Sequence, residues 1–127
     1  MNTLVQEIKN YISNLEESGD KIKARFVFPP DFTGFKGHFP GRPVLPGVCK
    51  IQAVISMLEI WHQKNICIKE ISIAKFFAPV FDNQEIVVTT NKMTGLSEAS
   101  GEIKIKASVT SNGKKISDLQ LLLKVSS

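Results

Sequence analysis

The sequence is poor in the residues from which many functional sites are built. It holds two cysteines, two histidines, one tryptophan and one tyrosine in 127 residues. Cys49 and Cys67 lack metal-ligand spacing and cannot frame a disulfide scaffold. Beside Val48, Ile66 and Ile68 they are expected to be buried thiols in a reducing cytoplasm. His38 and His62 are not at ligand spacing either, so no metal centre is expected. There is no Ser nucleophile elbow and no Gly-rich phosphate loop. No apolar run approaches the roughly 20 residues of a membrane span. The stretch from Met1 to Leu15 carries Glu7 and Lys9 where a signal peptide would need an apolar core, so a cytoplasmic chain with no membrane association is expected.

What is present describes an ordinary core-forming chain. With 43% hydrophobic residues, a net charge of only +4, 8 Gly and 6 Pro, the composition excludes disorder and low-complexity repeats. The length suits one domain over 1–127, with no internal repeat or linker. The basic excess is concentrated in residues 38–80, which hold five basic and two acidic side chains. Arg42, Lys50, Lys64, Lys69 and Lys75 stand singly, without aromatic interleaving on an exposed strand. That excludes a nucleic-acid footprint but suits an acidic partner.

The hydrophobic pattern changes period along the chain. Leu4, Val5, Ile8, Tyr11, Ile12 and Leu15 recur at helical spacing, with Thr3 and Gln6 as a capping box and Ser18-Gly19 as a stop. This predicts an N-terminal helix over about 3–17. Strict alternation follows, with Ile22, Ala24, Phe26 and Phe28 against Lys21, Lys23 and Arg25, which predicts a half-solvated strand ended by Pro29-Pro30. Residues 31–47 are a rigid loop rich in Gly, Pro and aromatics. The segment 48–63 reads as a helix apolar around most of its circumference, and therefore central. Its polar residues, Gln52, Ser56, Glu59 and Gln63, fall in one narrow stripe. Four strand-like runs complete the chain, the last two joined by a turn at Ser111-Asn112-Gly113. The fold class is α+β, an antiparallel sheet wrapped around one central helix.

Two features could carry chemistry. His62 near the end of the central helix has a structural reading, its ring favoured in the charged form by the helix dipole. His38 is held between Gly37 and Phe39-Pro40-Gly41, and residue chemistry alone leaves it open between catalysis and structure. The start of the helix at Gly47-Val48 offers unpaired N–H groups to a carbonyl oxygen.

The run Gly37-His38-Phe39-Pro40-Gly41-Arg42-Pro43-Val44-Leu45-Pro46-Gly47-Val48 resembles the signature of the FabA/FabZ-type 3-hydroxyacyl-acyl-carrier-protein dehydratases, which have the hot-dog fold. Ala74-Lys75-Phe76-Phe77-Ala78-Pro79-Val80 and the segment from Ile105 to Lys114 extend the likeness more loosely. The short N-terminal part looks closer to the small aryl-polyene-type members. The resemblance implies that His38 removes the α-proton of a 3-hydroxyacyl thioester and that the Gly47 N–H polarises its carbonyl. It implies substrate contacts at Gly47, Val48, Phe39 and Ser56, and carrier docking through Lys36, Arg42 and Lys75. The family's catalytic carboxylate stands fourteen residues after its His, at Gln52 here, so the acid position is occupied by an amide. Ser56 and Phe77-Ala78 also depart from the family pattern.

The resemblance further implies an acyl carrier protein as partner, a substrate carried on its phosphopantetheine, no cofactor of the enzyme's own, and a homodimer or higher homo-oligomer whose tunnel lies between subunits. Three activities are consistent with these residues. They are a dehydratase with His38 and Gln52 in its site, a non-catalytic or heterodimer-partner hot-dog subunit that binds the carrier, and an acyl thioesterase in which His38 activates water.

Overall fold

The computed structural model describes residues 3–36, 42–92 and 101–126. The chain runs α1 (Thr3–Lys9), β1 (Ile12–Ser18), β2 (Lys21–Val27), a 3-10 turn (Thr33–Phe35), α2 (Gly47–His62), β3 (Asn65–Phe76), β4 (Glu85–Asn91), β5 (Glu102–Ser111) and β6 (Lys114–Ser126). The six strands form one antiparallel sheet in the order β1-β2-β4-β5-β6-β3. Alternation dictates which face is buried. Ile22, Ala24 and Phe26 of β2, Ile86 and Val88 of β4, Ile105 and Val109 of β5, and Leu119, Leu121 and Leu123 of β6 turn inward. Against them packs α2, which buries nine residues from Cys49 to Leu58. The β5–β6 hairpin turns on Asn112 and Gly113, both at positive φ (50° and 79°), which matches the twist of the strands.

The N-terminal helix is shorter than its spacing predicts. α1 ends at Lys9, and residues 12–18 form a strand paired with β2. A bulge explains the discrepancy. Asn14 sits at φ 52° where the register slips between Ser13 and Glu16. The extra residue places Ile12 and Leu15, three apart, on one face and imitates a helical period within a strand. Ser18-Gly19 is then a hairpin turn rather than a helix stop, with Gly19 at φ 60°.

Two features aim the chain at the start of α2. Tyr11, Phe26, Phe28, Phe32 and Phe35 form a chain of ring contacts with centroids 4.8–6.0 Å apart, fixing the path that leaves β2. On the far side of the motif loop, Leu45 N–H donates to Val80 O at 2.8 Å and Val44 bridges Phe81. The segment entering α2 is thereby tied to the loop that follows β3.

The edge strand β3 is irregular, with register slips between Ile68 and Glu70 and between Ile71 and Ile73. Its inward series becomes Ile68, Ile71, Ala74 and Phe76, opposite the buried Leu123, Leu121, Leu119 and Ser117. Cys67 therefore faces outward opposite Lys124, and is exposed where the sequence predicts burial; Cys49 is buried as expected. Among the described residues no helix is long and apolar enough to cross a membrane.

Candidate active site

The start of α2 is built from three conditions. Pro46 holds the N-cap in an extended conformation (φ −61°, ψ 149°) and its carbonyl accepts from Cys49 N–H at 3.0 Å. The N–H groups of Gly47 and Val48 precede the first helical bond and have no acceptor among the described residues. The ring of Phe76 lies against Gly47, so that a Cβ there would stand 2.9 Å from Phe76 Cζ and displace the ring. Around this point the surface is apolar: Val48 is 67% exposed, Phe76 46% and Phe77 55%.

Further along α2, Gln52 Nε2 donates to Ser56 Oγ at 3.1 Å. Ser56 is fully buried and Gln52 half-buried, so this part of the polar stripe is not a solvent edge. The rest of the stripe has structural work. Glu59 pairs with Lys9 at 2.9 Å and accepts the Ile66 N–H at 2.9 Å, tying α1, α2 and β3 together. Gln63 takes the left-handed conformation that ends the helix (φ 54°).

The docking candidates do not share one surface. Lys36 and Arg42 are exposed, and the Arg42 guanidinium stacks 3.8 Å above the Phe81 ring. Lys75 pairs in register with Asp118 and lines an outer-face cavity of about 270 Å³ with Ile73 and Lys106. Its neighbour Phe76 turns to the α2 side, so Lys75 is on the far face of the sheet from the helix start. His38 and Phe39 lie outside the described residues.

One sequence expectation about charge is corrected, and one charge has an unexpected setting. Burial, with Lys64 adding to it, pulls His62 below the ordinary imidazole range, and its Nε2 is buried without a partner among the described residues. Desolvation thus outweighs the helix dipole, and the neutral ring is favoured. Lys50, counted in the sequence among scattered charges, is 4% exposed. Burial pulls its ammonium below the usual lysine range, partly opposed by Cys49. The same burial pushes the Cys49 thiol up to about 11, with Glu7 adding and Lys50 opposing. Lys50 and Phe76 are the neighbours of the helix start that sequence reasoning missed; the available signal was a lone cation in an otherwise apolar helix face. Among the described residues no cluster of His, Cys, Asp and Glu could hold a metal ion.

Comparison with known proteins agrees with this architecture. The FabZ 3-hydroxyacyl-acyl-carrier-protein dehydratase of Haemophilus influenzae (strain PittEE) is 33% identical over 108 residues, covering 72% of this chain and 73% of that protein. The FabZ of Ehrlichia chaffeensis is 32% identical over 62 residues, and the match spans 43% of its length and 45% of this chain. The dehydratase heterocomplex ApeI:P from Xenorhabdus doucetiae shares the fold with a TM-score of 0.72 at 19% identity, over 89% of this chain and 96% of that one. A hypothetical thioesterase with coenzyme A from Streptococcus pneumoniae TIGR4 shares it with a TM-score of 0.67 at 9% identity, over 96% and 90%. The fold is therefore shared by a dehydratase complex and a hypothetical thioesterase, and the sequence match narrows the choice. A family model described as ApeI-like, ApeI dehydratase, matches residues 14–114, so the chain belongs to the ApeI-like dehydratase family.

Proposed function

We propose that this protein eliminates water from a 3-hydroxyacyl thioester, carried on the phosphopantetheine of an acyl carrier protein, in fatty-acid or related acyl-chain synthesis. The observation that carries the reading is the pair of free N–H groups at Gly47 and Val48, set in an apolar opening at the end of the retained motif. A thioester oxygen accepting there gains charge as the α-proton leaves, and fixed donors stabilise that charge without reorganising. His38 takes the α-proton, the α,β double bond forms, and the β-hydroxyl departs as water with the proton that His38 returns. The Gln52–Ser56 pair hydrogen-bonds the hydroxyl, although an amide has no proton of its own to surrender. No cofactor enters this scheme. Lys36 and Arg42 meet the acidic carrier at the mouth.

The functional unit in this reading is a dimer. Ile71, Phe76 and Phe77 leave the edge strand apolar and half exposed, and Val48 stands beside them, a surface that a second hot-dog chain laid along β3 covers. The amide at Gln52 also favours a second version, in which that partner is a different hot-dog chain supplying the missing carboxylate.

The test is mass spectrometry of 3-hydroxyacyl carriers incubated with the chain, its His38→Ala variant and its Gln52→Glu variant. Conversion that requires His38 and rises roughly 10²-fold or more with Glu at position 52 is the expected result. A silent wild type with an active Gln52→Glu chain selects the heteromeric version. Thiol release without prior water loss, or no conversion by any of the three, overturns the dehydratase.

A further inference from the structure

Lys50 stands where elementary electrostatics opposes a cation in three ways. It is 4% exposed. It lies one turn into α2, near the positive end of the helix dipole. Among the described residues neither a carboxylate nor a hydrogen-bond acceptor meets its ammonium, and the Phe76 ring lies 5.2 Å from Nζ to centroid. A ring face at that distance replaces only part of the lost hydration. A buried charge that lacks its counterpart marks a place where an anion is to be received.

The surroundings identify the anion. Gly47 is one turn earlier on the same side of α2, and the Phe76 ring that Lys50 approaches is the ring that lies against Gly47. Side chains on a helix lean toward its N-terminus, which sends the Lys50 ammonium toward the free N–H groups of Gly47 and Val48. Ser117 stands directly opposite Phe76 in the β3–β6 ladder, fully buried, and its Oγ has no partner among the described residues. Backbone N–H groups and an ammonium thus border one aromatic ring with no acceptor for them among the described residues, and the Ser117 hydroxyl, able to donate or to accept, is on the same face of the sheet. What completes such a set is an oxygen that carries negative charge.

We propose that Lys50 is the cationic donor that receives the thioester oxygen of the substrate as it takes on enolate charge, beside the N–H of Gly47. The assignment rests on the dehydratase reading and deepens it. As His38 takes the α-proton, the electron pair of that C–H bond moves into the carbonyl and the oxygen becomes anionic. Lys50 stays protonated throughout. When the enolate collapses, the pair returns through the α-carbon and expels the β-hydroxyl, which leaves as water with the proton from His38. Charge placed on the enolate offsets part of what the amide at Gln52 cannot contribute.

The test separates this role from the overall reaction. Two unreactive pantetheine thioethers, one ending in a carboxylate at the thioester position and the other in the neutral amide, are titrated calorimetrically into wild type, Lys50→Met and Lys50→Arg. Wild type is expected to prefer the carboxylate at least tenfold, Lys50→Met to lose that preference while retaining the amide, and Lys50→Arg to keep part of it. Water loss is expected to fall roughly 10²- to 10³-fold in Lys50→Met, the usual cost of one oxyanion donor. A Met variant that keeps the carboxylate preference, or a wild type without one, overturns the role of Lys50. If wild type binds the carboxylate through Lys50 but releases no water, the anion site stands and the dehydratase reading falls. If water is lost equally with and without the lysine, the dehydratase stands and the anion site falls.

Discussion

Removing the charge of Lys50 is expected to make the protein more stable. The side chain is 4% exposed, no described carboxylate offsets it, and burial disfavours its charged form. Methionine has similar length and no hydration to lose. Replacing buried ionic groups with apolar ones of similar volume is commonly neutral or stabilising by about 1–4 kcal/mol. For a domain of this size each kcal/mol moves the melting temperature by roughly 3–5 °C. Lys50→Met should therefore melt several degrees above wild type at pH 7. The pH dependence fixes the cause. The folded-state pKa is lowered, so the unfolded chain holds the lysine proton to higher pH than the folded chain does. The penalty in wild type is thus fully present below the folded pKa and fades as pH rises from there toward about 10.5, the ordinary lysine value. The advantage of the Met variant must shrink over that alkaline window, because Cys49 titrates in both proteins and cancels to first order. Paired thermal or urea unfolding at neutral and alkaline pH measures the difference. A variant no more stable than wild type, or an advantage independent of pH, refutes the claim that this ammonium is buried at a cost.

Two other expectations come from groups outside the proposed chemistry. Glu59→Ala breaks both the contact with Lys9 and the cap on the Ile66 N–H, leaving a donor unsatisfied, and is expected to cost about 1–3 kcal/mol in urea unfolding; an unchanged midpoint would show that water replaces the carboxylate freely. Iodoacetamide at pH 8 is expected to label Cys67, which is exposed, and to spare Cys49, whose thiol is pushed up to about 11 by burial, until the chain is unfolded; peptide mapping that finds Cys49 alkylated in the folded protein contradicts that burial.

Where one physical signal dominates, the fold is legible in the sequence. Strict alternation in β2 marked both faces correctly because the strand is regular and covered on one side only. The central helix declared itself by apolar residues on nearly every side, which only a helix enclosed by a sheet tolerates. Reading failed where the backbone leaves its ideal period. The Asn14 bulge gave β1 the spacing of a helix, and the slips in β3 changed its inward residues from every second to nearly every third. Side-chain environment was less legible still. Lys50 and Lys75 look alike in a composition count, yet one is enclosed beneath Phe76 and the other is on the opposite face of the sheet. Only the assembled contact between Phe76, Gly47 and Lys50 separates them.

That contact changes what the amide at Gln52 implies. Taken along the sequence, Gln52 is a loss, because protonation of the leaving hydroxyl has no carboxyl group to serve it. Taken with the structure, two of the departures of α2 from a plain apolar helix bear on the site, a neutral amide in its second turn and a buried cation in its first, near Gly47. The two bear on different halves of an elimination. A carboxylic acid assists departure of the hydroxyl, whereas a cation at the thioester oxygen assists removal of the α-proton. A chain with the second and without the first is shifted toward an enolate-like path, in which the carbanion is well stabilised before the β-bond breaks. Solvent exchange of the α-proton should then outrun water loss. The measurement is deuterium uptake at Cα of unreacted 3-hydroxyacyl thioester in deuterated buffer. Uptake faster than alkene formation, and slowed by Lys50→Met, is the expected pattern. Alkene formed with no uptake into the remaining substrate would show that no enolate persists long enough to exchange, against the path proposed for Lys50.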